Sequence, residues 1–141
     1  MRSLTTLVSK KRDFTSSVGA EPVFTFRNVA IDCNDLPGMT AFWQTMTGFE
    51  VVWGNETYNF LLHPDGRRPG IVMQKVPEGP SAKTRVHLDL DAVSMPDSDS
   101  AIDKAVELGA SLVEKRREFG VEWTVMRDPE GNVFCIQTTD Q

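Results

Sequence analysis

Apolar and polar positions alternate along this chain with two distinct periods, and the places where the period changes divide it into elements. Over 23–33 the run VFTFRNVAIDC steps with a period of two, sending Val29, Ile31 and Cys33 to one face and Asn28, Ala30 and Asp32 to the other, as a strand does. The period then lengthens. Asn34 and Asp35 offer an N-cap, Pro37 suits a first helical turn, and Met39, Phe42, Trp43 and Met46 recur at helical spacing until Gly48. Three β-rich runs follow at 49–54, 58–62 and 70–76, with a Pro64-Asp65-Gly66 turn before the last. The predicted order is βαβββ.

The second half repeats it. A strand is predicted at 85–91, a helix at 99–108 closed by Gly109, and strands at 111–116, 121–127 and 132–138, with Asp128-Pro129-Glu130-Gly131 as the last turn. Gly48 and Gly109 stand 61 positions apart, as do Val51-Val52 and Leu112-Val113, while Asn28 and His87, like Asp32 and Asp91, are 59 apart. The expected organisation is an extension over 1–22, a module at 23–76, a linker at 77–84 carrying Pro77 and Pro80, and a second module at 85–138. A four-stranded sheet with one helix covers only one of its faces. Two copies together therefore predict an α+β fold, a curved mixed sheet shaped as a half-barrel cup with its helices on the outer face.

Chemistry-bearing side chains gather on the open face. His87, Asp89 and Asp91 alternate with Leu88 and Leu90, and Val133, Cys135 and Gln137 share a face while Phe134 and Ile136 pack on the helix. Subtracting the 61-residue repeat from Cys135 lands on Gln74, with Met73 in its place if the register differs by one. Asn28, Gln74, His87 and Cys135 are thus expected as equivalent positions around the cup. Trp53, Tyr58 and Trp123 fall on its wall strands, to stack on a ligand, to pack under the helices or to meet a second subunit. His87 suits a pocket or a structural hydrogen bond, Cys135 a ligand contact or a small buried hydrophobe. The three aspartates suit acid–base work or strand ends.

The doubled βαβββ order, the run Ala41-Phe42-Trp43 before Gly48, His87 opening the second module and the run DPEGNVFCI at 128–136 resemble the vicinal-oxygen-chelate superfamily. Within it the glyoxalase-like domains, akin to the glyoxalase and bleomycin-resistance proteins, are most similar, over about 24–137. The resemblance implies a divalent metal held by His or Gln on the first strand and Glu on the last strand of each module, polarising two vicinal oxygens of a substrate. His87 alone matches that pattern; Asn28 stands where His is usual and Cys135 where Glu is usual. The resemblance therefore implies a degenerate metal site, His87 with Gln74 or Cys135, in a protein that binds a small organic molecule through Asn28, Asp32, Trp53, Tyr58, Gln74, His87, Trp123 and Cys135. Two alternatives remain open: a divalent-metal-dependent lyase, isomerase or dioxygenase with His87 and Asp89 as catalytic groups, or a non-catalytic drug-sequestering or interaction module. The residues alone name no cofactor; the resemblance suggests a divalent metal and implies a homodimer.

Charge and cysteine content narrow the partners. Fifteen Lys and Arg against twenty Asp and Glu give a net charge of −5, which argues against a nucleic-acid surface. Cys33 and Cys135 both lie in apolar strand-like runs and are expected as reduced thiols. No run approaches the roughly 18 apolar residues of a membrane span, and no continuous apolar block opens the chain, so a cytoplasmic location without membrane association is expected.

Overall fold

The structure, a computed structural model, describes residues 22–92 and 98–137. Residues 1–21 of the expected extension over 1–22 and the strand end at Thr138 lie outside the described residues.

Two βαβββ units follow one another. The first comprises β1 (Asn28–Cys33), α1 (Leu36–Thr47), β2 (Glu50–Gly54), β3 (Tyr58–Leu62) and β4 (Gly70–Lys75). The second comprises β5 (Leu88–Asp91), α2 (Ser98–Glu107), β6 (Ser111–Glu118), β7 (Val121–Arg127) and β8 (Val133–Gln137). Each unit closes into a four-stranded sheet of matching order, β1-β4-β3-β2 and β5-β8-β7-β6, in which the first strand pairs parallel to the last and the rest are antiparallel. The fold is α+β, with two modules of curved mixed sheet.

Local chemistry explains the element ends. Asp35 caps α1 by accepting a hydrogen bond from Gly38 N, Pro37 stands in the first turn, and Gly48 ends the helix in the left-handed region at φ 72°. The first strand is shorter than its sequence pattern. Residues 23–27 alternate correctly, but pairing with β4 starts at Asn28↔Gly70, so Val23, Phe24 and Phe26 lie exposed. The opening strand of the second unit likewise begins at Leu88 rather than Arg85, because its partner β8 supplies the ladder only from Phe134. β6 instead runs to Glu118, two residues beyond expectation, since β7 supplies partners as far as Val121.

One hydrophobic core joins the two units on the helix side of the sheets. Phe42 and Trp43 of α1 meet Phe134 of β8 edge to face, at centroid distances of 6.2 and 5.4 Å. Ile71, Met73, Met126 and Ile136 continue the same buried cluster. The Asp128–Asn132 turn locks this junction. Buried Asp128 accepts from the backbone N–H of Glu130 and Asn132 through Oδ1, and from Asn132 Nδ2 and Trp43 Nε1 through Oδ2. Glu130 then reaches back to the N–H groups of Asn34 and Asp35 at 2.6 and 2.8 Å, just ahead of α1. With the helices and core on one side, the opposite sheet faces are left open.

Candidate functional site

The open face of the second sheet carries the site. Alternation along β7 and β8 turns Thr124, Met126, Phe134 and Ile136 toward the core, and so turns Trp123, Val125, Arg127, Cys135 and Gln137 the other way. Those residues, with His87 and Asp89 from the start of β5 and Val113, Glu114 and Arg116 from β6, surround a cavity of about 500 Å³. Lys83 of the linker stands at its rim. Its size falls within the range of small-molecule pockets, and its lining combines valines and an indole with a few polar groups.

Three donors meet at the side of the cavity formed by β5 and β8. Asp89 and Cys135 are ladder partners on adjacent parallel strands, and His87 lies two residues before Asp89, hence on the same face. His87 Nδ1 is 3.3 Å from Asp89 Oδ1 and 3.8 Å from Cys135 Sγ, and one ligand atom from each of the three residues lies within 4.8 Å of the others. Burial pushes the Cys135 thiol above its ordinary value; the charge of Asp89 and a hydrogen bond with it push the same way, against a smaller pull from Lys83. The free thiol is accordingly a neutral donor toward Asp89 at pH 7.

Not every expected site residue joins this group. Of the four positions expected to be equivalent around the cup, the structure brings together His87 and Cys135; Asn28 and Gln74 lie on the first sheet and do not line the cavity. Asn28 Oδ1 accepts from Arg68 at 3.3 Å, and the Arg68 guanidinium also lies over the Phe60 ring. The ladders also correct part of the repeat arithmetic. Because Ala30 pairs with Val72 while Asp89 pairs with Cys135, the counterpart of Cys135 is Val72, and Gln74 corresponds to Gln137. The 59-residue match of Asn28 to His87 stands, but the separation is 65 between β3 and β7 and 63 between β4 and β8, which a constant 61 misses. Met73 is fully buried on the helix side.

Trp53 and Tyr58 are on the first sheet, 57% and 36% exposed, paired with Phe60 and Gln74. Asp32 borders cavities at the junction of the two units and beneath the linker, and Asp91 lines an apolar crevice between the helices. Sequence reasoning missed Val125, Arg127, Arg116 and Lys83. For the first two the signal was available, because the alternation that placed Trp123 on the wall places its i+2 and i+4 neighbours there too. For Arg116 no local period gives the signal: the register sets it opposite Trp123, with its guanidinium 6.0 Å from the indole centroid.

Residues 28–137 match the glyoxalase-like domain family along their whole length. The chain belongs to that family. No curated protein matches it in sequence. Among solved structures, this glyoxalase-like chain is similar to a glyoxalase/bleomycin resistance protein/dioxygenase family enzyme from Burkholderia phytofirmans PsJN at 23% identity and TM-score 0.63, covering 80% of this chain and 97% of that one. It is similar to the fosfomycin resistance protein FosX of Listeria monocytogenes at 16% identity and TM-score 0.68, covering 84% and 96%. A lactoylglutathione lyase from Agrobacterium tumefaciens matches at 18% identity and TM-score 0.60, covering 84% and 96%. At these identities the likeness establishes the glyoxalase-like fold.

The metal that the resemblance implies can be tested against the donors present. Hard cations such as magnesium favour oxygen ligands, and the grouped donors are one imidazole, one thiol and one carboxylate. The set does not fit a hard cation. It does fit a borderline ion that accepts nitrogen and sulfur. Among the described residues no helix is long and apolar enough to cross a membrane.

Proposed function

We propose that this glyoxalase-like protein binds a small organic molecule in the cavity of its second sheet, against Trp123, with an acidic group of the ligand directed to Arg127 and Lys83. The observation that carries this reading is the cavity itself. It is about 500 Å³, apolar along Val113, Val121 and Val125, and polar where His87, Asp89 and Cys135 converge. Arg116 is engaged by Glu114 and Glu118, whereas no hydrogen bond or ion pair engages the side chains of Arg127 and Lys83 among the described residues. In a chain of net charge −5, such cations are suited to recognising an anion.

Titration of intrinsic fluorescence tests it, with a panel of aromatic carboxylates and the matching alcohols. Saturable quenching by the acids, absent in Trp123→Phe and weakened about tenfold or more in Arg127→Gln, is the expected result. Quenching that persists unchanged in both variants would refute the assignment of the pocket.

A second reading is favoured by the His87–Asp89–Cys135 group: a metal-dependent lyase, isomerase or dioxygenase. In it a bound ion would supply Lewis-acid polarisation of substrate oxygens. His87 and Cys135 would hold the ion, Asp89 would hold it or accept a proton at a carboxylate oxygen, and the valine-lined wall would limit water. Turnover that is lost in Trp123→Ala and His87→Ala with the fold intact would favour this reading over binding alone.

A further inference from the structure

We infer that the second module by itself holds a zinc-class divalent ion on His87 Nδ1, Asp89 and the Cys135 thiolate, instead of sharing a hard cation between the two modules. Geometry comes first. Bonds of about 2.0–2.3 Å to a tetrahedral ion separate nitrogen, oxygen and sulfur donors by about 3.3–3.8 Å. His87 Nδ1 already stands 3.3 Å from the Asp89 carboxylate and 3.8 Å from the Cys135 sulfur, so one ion fits between the three with little rearrangement. The backbone holds them there. Asp89 and Cys135 are paired across the β5–β8 ladder, and His87 is one pleat away from Asp89.

The first module argues for the same conclusion by what it lacks. Its counterparts of His87, Asp89 and Cys135 are Asn28, Ala30 and Val72, which together offer one amide. Asn28 Oδ1 accepts from the Arg68 guanidinium at 3.3 Å, so a cation at Asn28 would meet a positive charge. An ion is therefore served by one module only. Its softness follows from the donors: a thiolate with an imidazole and a carboxylate selects zinc or cobalt(II) over magnesium or manganese. Binding exchanges the thiol proton for the metal–sulfur bond and releases that proton to solvent. Because His87, Asp89 and Cys135 all line the cavity, an ion held by them would be open to the molecule of the binding reading; the ion site itself does not depend on that reading.

The test uses the full chain, stripped with a chelator and kept under a thiol-free reductant, titrated with cobalt(II). One equivalent should produce visible d–d bands together with a near-ultraviolet thiolate-to-cobalt absorption, and zinc should displace both. Cys135→Ser should remove the thiolate band, and His87→Ala or Asp89→Asn should weaken cobalt binding about tenfold or more. The last two substitutions alter half-exposed side chains and keep the test decisive if Cys135→Ser does not fold. Asn28→Ala and Gln74→Ala should leave the cobalt affinity unchanged. Saturation without a thiolate band, or affinity lost in Asn28→Ala, would overturn the inference. Fluorescence titration with the acid panel in the presence of the chelator separates the two ideas, because it reads the pocket whether or not the ion binds.

Discussion

Removing the Asp128 carboxylate should be among the most costly single changes available in this chain. Asp128 is 3% exposed and accepts four hydrogen bonds, from the backbone of Glu130 and Asn132 and from the side chains of Asn132 and Trp43. In Asp128→Ala the indole N–H of Trp43, itself 1% exposed, loses its partner, and so do the turn N–H groups. A buried donor left unpaired costs about 1–3 kcal/mol, and hydrogen bonds to a charged group contribute about 1.5–3 kcal/mol each. Three of the four donors lie at the turn, where water can replace part of the loss, so the total should be about 3–5 kcal/mol. That is a large share of the roughly 5–15 kcal/mol that holds a domain folded. Asp128→Asn should cost about half as much, because its oxygen still accepts from the two backbone N–H groups while its NH2 meets donors on Trp43 and Asn132. Urea denaturation followed by tryptophan fluorescence and circular dichroism gives the free energies, and the melting temperature should fall by about 10–20 °C in the alanine variant. A loss under about 1 kcal/mol for Asp128→Ala would refute the view that this carboxylate locks the turn to α1.

Three further outcomes follow from the structure. Gly70→Ala should destabilise by about 1–3 kcal/mol in the same urea assay, because a Cβ there would lie 2.7 Å from the Leu61 carbonyl oxygen and 2.9 Å from the Phe60 ring, with backbone on one side that cannot yield. Gly48→Ala should cost about 1 kcal/mol from its left-handed φ of 72° alone, since nothing lies within 4 Å of the added Cβ. Cys33 has its thiol pushed from 9.0 to about 11, first by burial and then by the charges of Glu130, Asp32, Asp35 and Asp128. The fold thus favours the neutral thiol: its contribution is complete below pH 9 and is lost as the pH rises toward 11. The stability difference between the parent chain and Cys33→Ala should therefore shrink between pH 8.5 and pH 11 in paired urea titrations, and a constant difference would contradict the burial argument.

Much of this protein was legible in its sequence. The order of the elements among the described residues, the caps at Asp35 and Gly48 and the faces of β7 and β8 follow from periodicity and from local backbone chemistry, which act over a few residues and leave their mark in a few residues. So does the pairing of His87 with Asn28 across the duplication, because β1 and β5 precede any accumulated offset. The extent of β1 was not legible. The alternation over 23–27 is as regular as that of the strand proper, but a strand needs a partner, and β4 begins only at Gly70.

The site divides along the same line. Sequence by itself placed His87 and Cys135 on the open face of one sheet and flagged that the chemistry there departs from a His and Glu set. Tertiary structure alone decided which residues stand beside them. The β6–β7 hairpin is four residues longer than the β2–β3 hairpin and the β7–β8 connection two residues shorter than the β3–β4 connection, so that Val72 and not Gln74 stands in the first sheet at the position of Cys135. Asp89, read as a base or a strand end, comes within 3.3 Å of His87, and Arg68, silent in the sequence, closes over Asn28. A side chain's face is fixed by the pleat of its own strand and can be counted along the chain. Its neighbours are fixed by register and by loops that cross from other strands, and no local period records those.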